Sequence, residues 1–204
     1  MEKKKIPNQI IRRSLIPLVL KNVDSIAFHH MAHETWDVKD IEKYHVFENG
    51  WDAIGYNYWI AFDGTIYEGR GFNKGAGVSG HNSHIISIGL QGDFESHIPT
   101  EAQYNSAREL VSYLRNKIPS IKNIGLHKDW NATACPGKNF DIKKITEYKE
   151  AVKELTTVND IVWELSQRGI ITDKALWMKK LVEDINAYWL ARKCVNYIRG
   201  IKQC

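Results

Sequence analysis

The chain has 204 residues, which suits one domain with a small appendage, and its 43% hydrophobic content is ample for a core. No apolar run approaches the ~20 residues that a membrane-spanning helix needs, so the composition argues against an integral membrane protein. Residues 1–21 carry six basic residues and one acidic residue, and residues 151–204 carry nine and six, so the middle of this chain of net charge +4 is acidic. Basic ends of this kind favour binding to an anionic polymer or to a membrane surface. The alternative is that they form an ordinary solvated surface.

The three cysteines are widely spaced and odd in number, so no disulfide framework is predicted: Cys135, Cys194 and Cys204. A reducing compartment, or a metal-binding role for one thiol, fits this pattern better. The first twenty residues, MEKKKIPNQIIRRSLIPLVL, begin like a signal peptide. However, Arg12 and Arg13 interrupt the apolar stretch and no small-residue cleavage site follows. We therefore expect residues 1–22 to be a basic N-terminal segment of a protein that is cytoplasmic when synthesised.

The pattern of residues 23–150 predicts a mixed α/β domain. Ile26 to Phe28 is an apolar run that leads directly into His29 and His30, and Lys39 to Phe47 has helical spacing. Tyr56 to Phe62 is aromatic and β-branched, and Asp63-Gly64 is a hairpin signal, after which Thr65 to Tyr67 returns antiparallel.

The second half of this region supplies two more strands and a long helix. Ile85 to Gln91 is predicted as a buried strand, and Thr100 to Lys117 as a helix that begins at Thr100-Glu101 and ends before Pro119. Ile124 to Leu126 is a short strand that ends at His127. Two strands therefore carry histidines, and we expect them to bring these side chains to a common edge of a central sheet flanked by helices.

Residues 156–204 predict a small all-helical C-terminal domain. Thr157-Val-Asn-Asp160 resembles a capping box, Gly169 ends the first helix, and two more apolar-periodic stretches follow. About 45 residues give only a marginal core, so we expect this part to pack on the rest, to form a homodimer, or to bind a ligand. Five aromatic residues in this domain have two alternative interpretations, in which they either stack on sugars or fill the core: Trp163, Trp177, Tyr188, Trp189 and Tyr197.

The string LHKDWNATACPGKNF is the strongest chemical signal in the chain. It places His127 and Cys135 eight residues apart, with a Pro-Gly turn directly behind the thiol. Two such ligands can hold zinc, and His29 or His30 offers a third. Adjacent residues on a strand point to opposite faces, so only one of these two histidines can reach the ion. Three protein ligands leave the fourth position of zinc open, which is typical of a catalytic site.

Five strings in order extend this pattern from about Ile26 to about Phe140: the apolar run ending in HH, IGYNYWI, DGTIYEGRG, SIGLQGDF and HKDWNATACPG. Together they resemble the zinc amidases of the peptidoglycan recognition protein and bacteriophage lysozyme-amidase superfamily, the type 2 N-acetylmuramoyl-L-alanine amidases. The resemblance implies one zinc ion held by His29, His127 and Cys135, because the family places its ligand at the first position of the His pair. It also implies a zinc cleft at one edge of the sheet.

The resemblance implies roles for several other residues. Tyr56 follows Gly55 where these amidases carry a tyrosine close to zinc, and Thr133 lies two positions before the cysteine, where phage relatives often have lysine. A threonine can hydrogen-bond an oxyanion but carries no charge, so it should stabilise one less than lysine does. Predicted substrate contacts lie along the expected cleft: Trp51, Asn57, His81 and Asn82.

The function implied by the resemblance is hydrolysis of the amide between N-acetylmuramic acid and L-alanine in peptidoglycan. The absence of a recognised export signal favours a phage endolysin that acts on the cell wall after release. A bacterial autolysin or a cytoplasmic amidase that recycles muropeptides fits as well, and a module that binds peptidoglycan without cutting it is the alternative of another class. Such modules commonly lack the cysteine. No basic helix with base-reading spacing indicates a nucleic-acid partner.

Overall fold

The computed structural model describes residues 2–147 and 157–198. The chain divides into two compact units, Met1–Tyr148 and Lys149–Cys204. The first contains six strands and three helices among the described residues: β1 Lys4–Lys5, β2 Ser25–His30, α1 Val38–Lys43, β3 Tyr58–Ile60, β4 Ile66–Glu68, β5 Ile85–Leu90, α2 Glu101–Lys117, β6 Asn123–Leu126 and α3 Lys143–Thr146. The expected mixed α/β class is confirmed.

The six strands form one mixed sheet in the order β1-β4-β3-β5-β2-β6. Only β3 and β4 pair antiparallel, through the predicted Asp63-Gly64 hairpin, where Gly64 adopts a φ of +84°. The central strands β2 and β5 are buried at all six positions, as expected for parallel strands covered on both faces. Within the predicted basic N-terminal segment, residues 1–22, Lys4–Lys5 pair in parallel with β4 and extend the sheet.

The two faces of the sheet differ in what covers them. On one face, Phe28, Ile88 and Leu90 pack with the buried side of α2, whose first turn is closed by a capping box between Thr100 and Gln103. On the other face, residues that include Tyr56 and Trp59 pack with the buried side of α1. Helix α1 continues into a wider π-helical turn over Tyr44–Glu48, so the predicted Lys39–Phe47 helix changes geometry halfway.

The second unit contains three helices among its described residues, α4 Val158–Gln167, α5 Lys174–Glu183 and α6 Ile185–Ile198. They enclose a small core that includes Ile161, Leu165, Leu181 and Val195. Of the predicted sugar-stacking aromatics, Trp177 and Tyr188 pack against this core, whereas Trp163 is 57% exposed. The side chains of Trp189 and Tyr197, like residue Cys204, lie outside the described residues. No helix in residues 2–147 or 157–198 is long and apolar enough to cross a membrane.

Candidate metal centre

Strand β2 sends its two terminal histidines to opposite faces of the sheet. His30 points to the α2 side, where its Nδ1 accepts a hydrogen bond from the Phe94 N–H at 3.1 Å and lies 3.4 Å from a carboxylate oxygen of Asp93. His29 points to the other face and is 2% exposed. The structure therefore groups His29, rather than His30, with the other candidate ligands.

Strand β6 places His127 beside His29. The strand pairs in parallel with β2 up to the partners Phe28 and Leu126, so His29 and His127 directly follow the last position at which these two strands pair. The two imidazole centroids are 4.5 Å apart. The turn that begins at His127 is closed by the carboxylate of Asp129, which accepts a 2.7 Å hydrogen bond from the Leu126 N–H.

Cys135 reaches the same place from a loop. Its Sγ lies 3.8 Å from Nδ1 of His29, and its carbonyl oxygen accepts a hydrogen bond from the Lys128 N–H at 3.0 Å. The loop packs tightly behind the thiol, since a Cβ on Gly137, at a φ of +99°, would lie 2.4 Å from the Phe94 backbone. Glycine is therefore required at this turn.

The ligand atoms of His29, His127 and Cys135 all lie within 4.8 Å of one another. Burial lowers the pKa of both imidazoles, with the neighbouring His127 adding to the effect on His29, and burial raises the pKa of the Cys135 thiol to about 12. Neutral imidazoles are the form that binds metal, and a cation would drive the thiol to ionise. Two nitrogens and one sulfur are donors that zinc prefers, so these residues fit a zinc ion.

The amide of Asn131 holds His127 from the side. Its Oδ1 lies 3.1 Å from Nε2 of His127, and its Nδ2 donates to the carbonyl of Ser79 at 3.2 Å. An amide oxygen only accepts, so Nε2 carries the proton and Nδ1 keeps the free lone pair. The sequence reasoning missed Asn131, although a position four residues after a candidate ligand is within reach of it.

Tyr56 lies beside this group of donors. Its ring centroid is 5.3 Å from that of His29, and its hydroxyl donates to the carbonyl of His30 at 3.3 Å. Burial raises the pKa of the phenol far above its usual range, with the Cys135 thiol adding to the rise. The hydroxyl therefore remains a proton donor. Its ring rests on Gly89, where an added Cβ would lie 2.5 Å from it.

His45 is a second residue that the sequence reasoning missed. Its ring stacks on Trp51 at 4.6 Å and meets the edge of Tyr56 at 5.3 Å, and its Nδ1 accepts a hydrogen bond from Gly55 N–H. Burial, and secondarily the charge of Arg70, lowers the pKa of His45 to about 4, so the ring is neutral. Its position four residues after the buried Ile41 is the signal that places it on the core side of the helix.

The remaining predicted residues have different environments. Thr133 is exposed, and its Oγ1 accepts a hydrogen bond from the Cys135 N–H at 3.2 Å. Asn57 is fully buried, with its Nδ2 donating to the carbonyls of Gly71 and Asn73 and its Oδ1 accepting from Ser87 N–H. The amide of Asn57 holds the glycine-rich loop, which we define as residues 69–84 between β4 and β5. For Asn57 we therefore replace the predicted substrate contact with a structural role.

His81 and Asn82 lie on that glycine-rich loop and are partly exposed. Nδ1 of His81 lies 3.2 Å from Nε2 of His84, whose Nδ1 is 3.0 Å from a carboxylate oxygen of Asp24. Asp24 immediately precedes β2, so this chain of contacts is anchored about 16 Å along the strand from His29, at about 3.3 Å per residue. Trp51 is half-buried against His45, and Asn82 accepts from Val78 N–H. Contact of these three residues with substrate stays a prediction.

The fold and the site define a mixed α/β domain in which two histidines and a cysteine are grouped closely enough to hold a metal ion. The family described as N-acetylmuramoyl-L-alanine amidase matches residues 20–138. The chain belongs to this family.

Relatives in this family carry two kinds of name. Peptidoglycan-recognition protein SC2 of Drosophila simulans is 39% identical over 106 residues, which are 50% of this chain and 58% of that protein. The human N-acetylmuramoyl-L-alanine amidase is 31% identical over 106 residues, or 50% of this chain and 18% of that protein. The chain thus spans less than two thirds of these curated relatives.

Solved structures agree with the fold. The endolysin amidase LysCS from Clostridium intestinale superimposes with a TM-score of 0.65 at 30% identity, covering 72% of this chain and 93% of that one. An ectodomain complex of the peptidoglycan recognition proteins LCa and LCx, solved with bound tracheal cytotoxin, gives a TM-score of 0.62 at 27% identity, covering 71% and 96%.

Proposed function

We propose that this chain is a zinc-dependent N-acetylmuramoyl-L-alanine amidase. It hydrolyses the amide between the lactyl group of N-acetylmuramic acid and L-alanine in peptidoglycan. The observation that carries this proposal is the group of His29, His127 and Cys135, whose ligand atoms lie within 4.8 Å in a member of the amidase family. A protein that only binds peptidoglycan has no need for the third donor, Cys135.

The residues around the metal centre fit this chemistry. His29, His127 and Cys135 would hold a zinc ion, which when bound would lower the pKa of a water molecule and polarise an amide carbonyl. Tyr56 keeps its proton, and its hydroxyl is held by one 3.3 Å bond to the His30 carbonyl, so it is free to transfer this bond to a developing oxyanion. Thr133 offers a weaker hydroxyl from the exposed side of the loop.

The cell wall is the proposed place of action, after release from the cytoplasm in which the protein is made. The similarity to a clostridial endolysin favours a lytic enzyme of the phage endolysin type over a recycling amidase. For the helical unit we propose binding to the wall, because Trp163 is 57% exposed on α4 and is available to stack on a sugar. A homodimer through these helices is the alternative role.

The deciding experiment measures new L-alanine amino termini released from purified bacterial walls. Three samples are compared: the protein as made, the chelated protein, and Cys135→Ser. We expect release by the first only, with zinc restoring the chelated sample and not the variant. A protein that binds walls and releases no L-alanine terminus in the presence of zinc is instead a recognition module. Soluble anhydro-muropeptides, supplied in parallel, separate a recycling enzyme from a lytic one.

Tyr56→Phe is the second variant in this experiment. It removes the hydroxyl and keeps the ring that packs on Gly89. Loss of one oxyanion donor typically lowers kcat by about 100-fold to 1000-fold, so we expect a loss of that size with zinc content unchanged. If Tyr56→Phe has a normal kcat, the role of Tyr56 is packing in the core and not catalysis.

A further inference from the structure

The two candidate histidine ligands are held in different ways. His29 belongs to a central strand that is buried at every position, and its Nδ1 faces the Cys135 thiol at 3.8 Å. Its Nε2 is buried and has no hydrogen-bond partner within the described residues. The strand and the packing of the neighbouring Tyr56 and His127 rings therefore set the direction of the His29 ring, without a hydrogen bond to Nε2.

His127 follows the end of an edge strand and is half-buried in a short turn. Its ring is held by the Asn131 amide, through the 3.1 Å contact between Oδ1 and Nε2. The same amide donates to Ser79, in the glycine-rich loop, at 3.2 Å. One side chain thus joins the ligand turn to a loop about fifty residues earlier in the chain.

We propose that Asn131 is a positioning residue that presents Nδ1 of His127 to the metal. A neutral imidazole carries one proton, and the Asn131 oxygen stabilises it on Nε2. A partner of this kind on the other ring nitrogen fixes both tautomer and ring orientation of a metal-binding histidine. The proposal rests on the zinc site of the proposed function, and its test is designed to fail separately from that function.

The first measurement is zinc affinity, by competition with a chromophoric chelator. Asn131→Ala removes both contacts, and we expect zinc to bind about 10-fold to 100-fold more weakly. Asn131→Asp keeps an acceptor for Nε2 and loses the donor to Ser79, so affinity should stay within about threefold of the parent protein, or increase. Asn123→Ala is the matched control, because Asn123 is an exposed amide in β6, four residues before His127, whose side chain contacts Ser25 and not the ligand turn. It should leave the affinity for zinc unchanged.

The second measurement is the tautomer of His127 in the metal-free protein, from ¹⁵N chemical shifts of labelled imidazoles at a pH where the rings are neutral. We expect the Nε2–H form in the parent, Asn131→Asp and Asn123→Ala proteins, and a mixture in Asn131→Ala. Unchanged affinity in Asn131→Ala, or the same single tautomer in it, overturns the proposal. If the parent protein binds no zinc, the proposed function fails while the tautomer result still decides the role of Asn131.

Discussion

The metal centre has a sheet side and a loop side, and the two are built differently. On the sheet side, His29, Tyr56 and His45 are buried at 2–7% exposure and pack on one another through ring contacts of 5.3 Å. On the loop side, Thr133 is exposed, Cys135 is partly exposed, and backbone hydrogen bonds hold the segment. Substitutions that disturb the packing on the sheet side should therefore cost stability, in addition to any loss of zinc or activity. Substitutions on the loop side should cost zinc or activity with the fold intact.

The largest effect is expected on the loop side, from Cys135→Ser. A positioning partner alone is worth about 10-fold to 100-fold in metal affinity, so loss of a ligand should weaken zinc binding by more than about 100-fold. The metal-free proteins should unfold at similar denaturant concentrations, because serine nearly conserves the volume of the side chain. Zinc content by atomic absorption and urea unfolding without metal check both halves. A large loss of metal-free stability would show that the thiol belongs to the core.

The next effect is an acid-induced loss of stability on the sheet side, through His45. The pKa of His45 is about 4 in the folded protein, whereas its ordinary value is 6.5. Between these two pH values, His45 is therefore protonated in the unfolded chain and neutral in the folded chain. Stability therefore falls as the pH drops from about 6.5 to 4, by about 3 kcal/mol in total for this group. Urea unfolding of the metal-free protein across this range measures the loss.

His45→Gln should flatten this pH dependence, because glutamine can still accept the Gly55 N–H and does not titrate. His97→Gln is the control, since the side chain of His97 is 43% exposed and contacts Glu34. An equal acid-induced loss of stability in His45→Gln and in the parent protein would assign the effect to other buried groups.

A smaller effect is expected from Gly89→Ala, which tests whether Tyr56 is fixed from beneath. The added Cβ would lie 2.5 Å from the Tyr56 ring, and overpacking of this kind typically costs about 1–3 kcal/mol. A double-mutant cycle with Tyr56→Ala, followed by thermal unfolding, isolates the contact. The cost of Gly89→Ala should largely disappear when the ring is absent. A cost that persists in that background would place the strain in β5 itself.

The sheet side and the long-range contacts also differ in how far the sequence predicts them. The sheet side follows local rules, because Ile26 to Phe28 is apolar and the alternation of a strand leaves only one of His29 and His30 to face the other ligands. The hairpin at Asp63-Gly64 and the cap at Thr100 are local signals as well. The role of Asn57 and the second contact of Asn131 depend on partners far along the chain, Ser87 and Ser79, which no local pattern specifies. The pairing of Lys4–Lys5 with β4 was missed for the same reason.

The smallest effect is expected from Thr133→Ala on the loop side. The hydroxyl accepts one exposed hydrogen bond, from the Cys135 N–H, and an interaction of this kind contributes about 0.5–1.5 kcal/mol. A neutral hydrogen bond of the same strength to the oxyanion corresponds to about tenfold in rate or less, so we expect Thr133→Ala to lower kcat by no more than about tenfold and stability by no more than about 1.5 kcal/mol. Thr146→Ala, at an exposed threonine in α3, is the control and should leave kcat unchanged. A positive charge stabilises an oxyanion more than a neutral hydroxyl does, so Thr133→Lys should exceed Thr133→Ala in kcat. Equal kcat values for these two variants would mean that position 133 does not face the developing charge, and the Tyr56 hydroxyl on the sheet side would then be the remaining candidate donor.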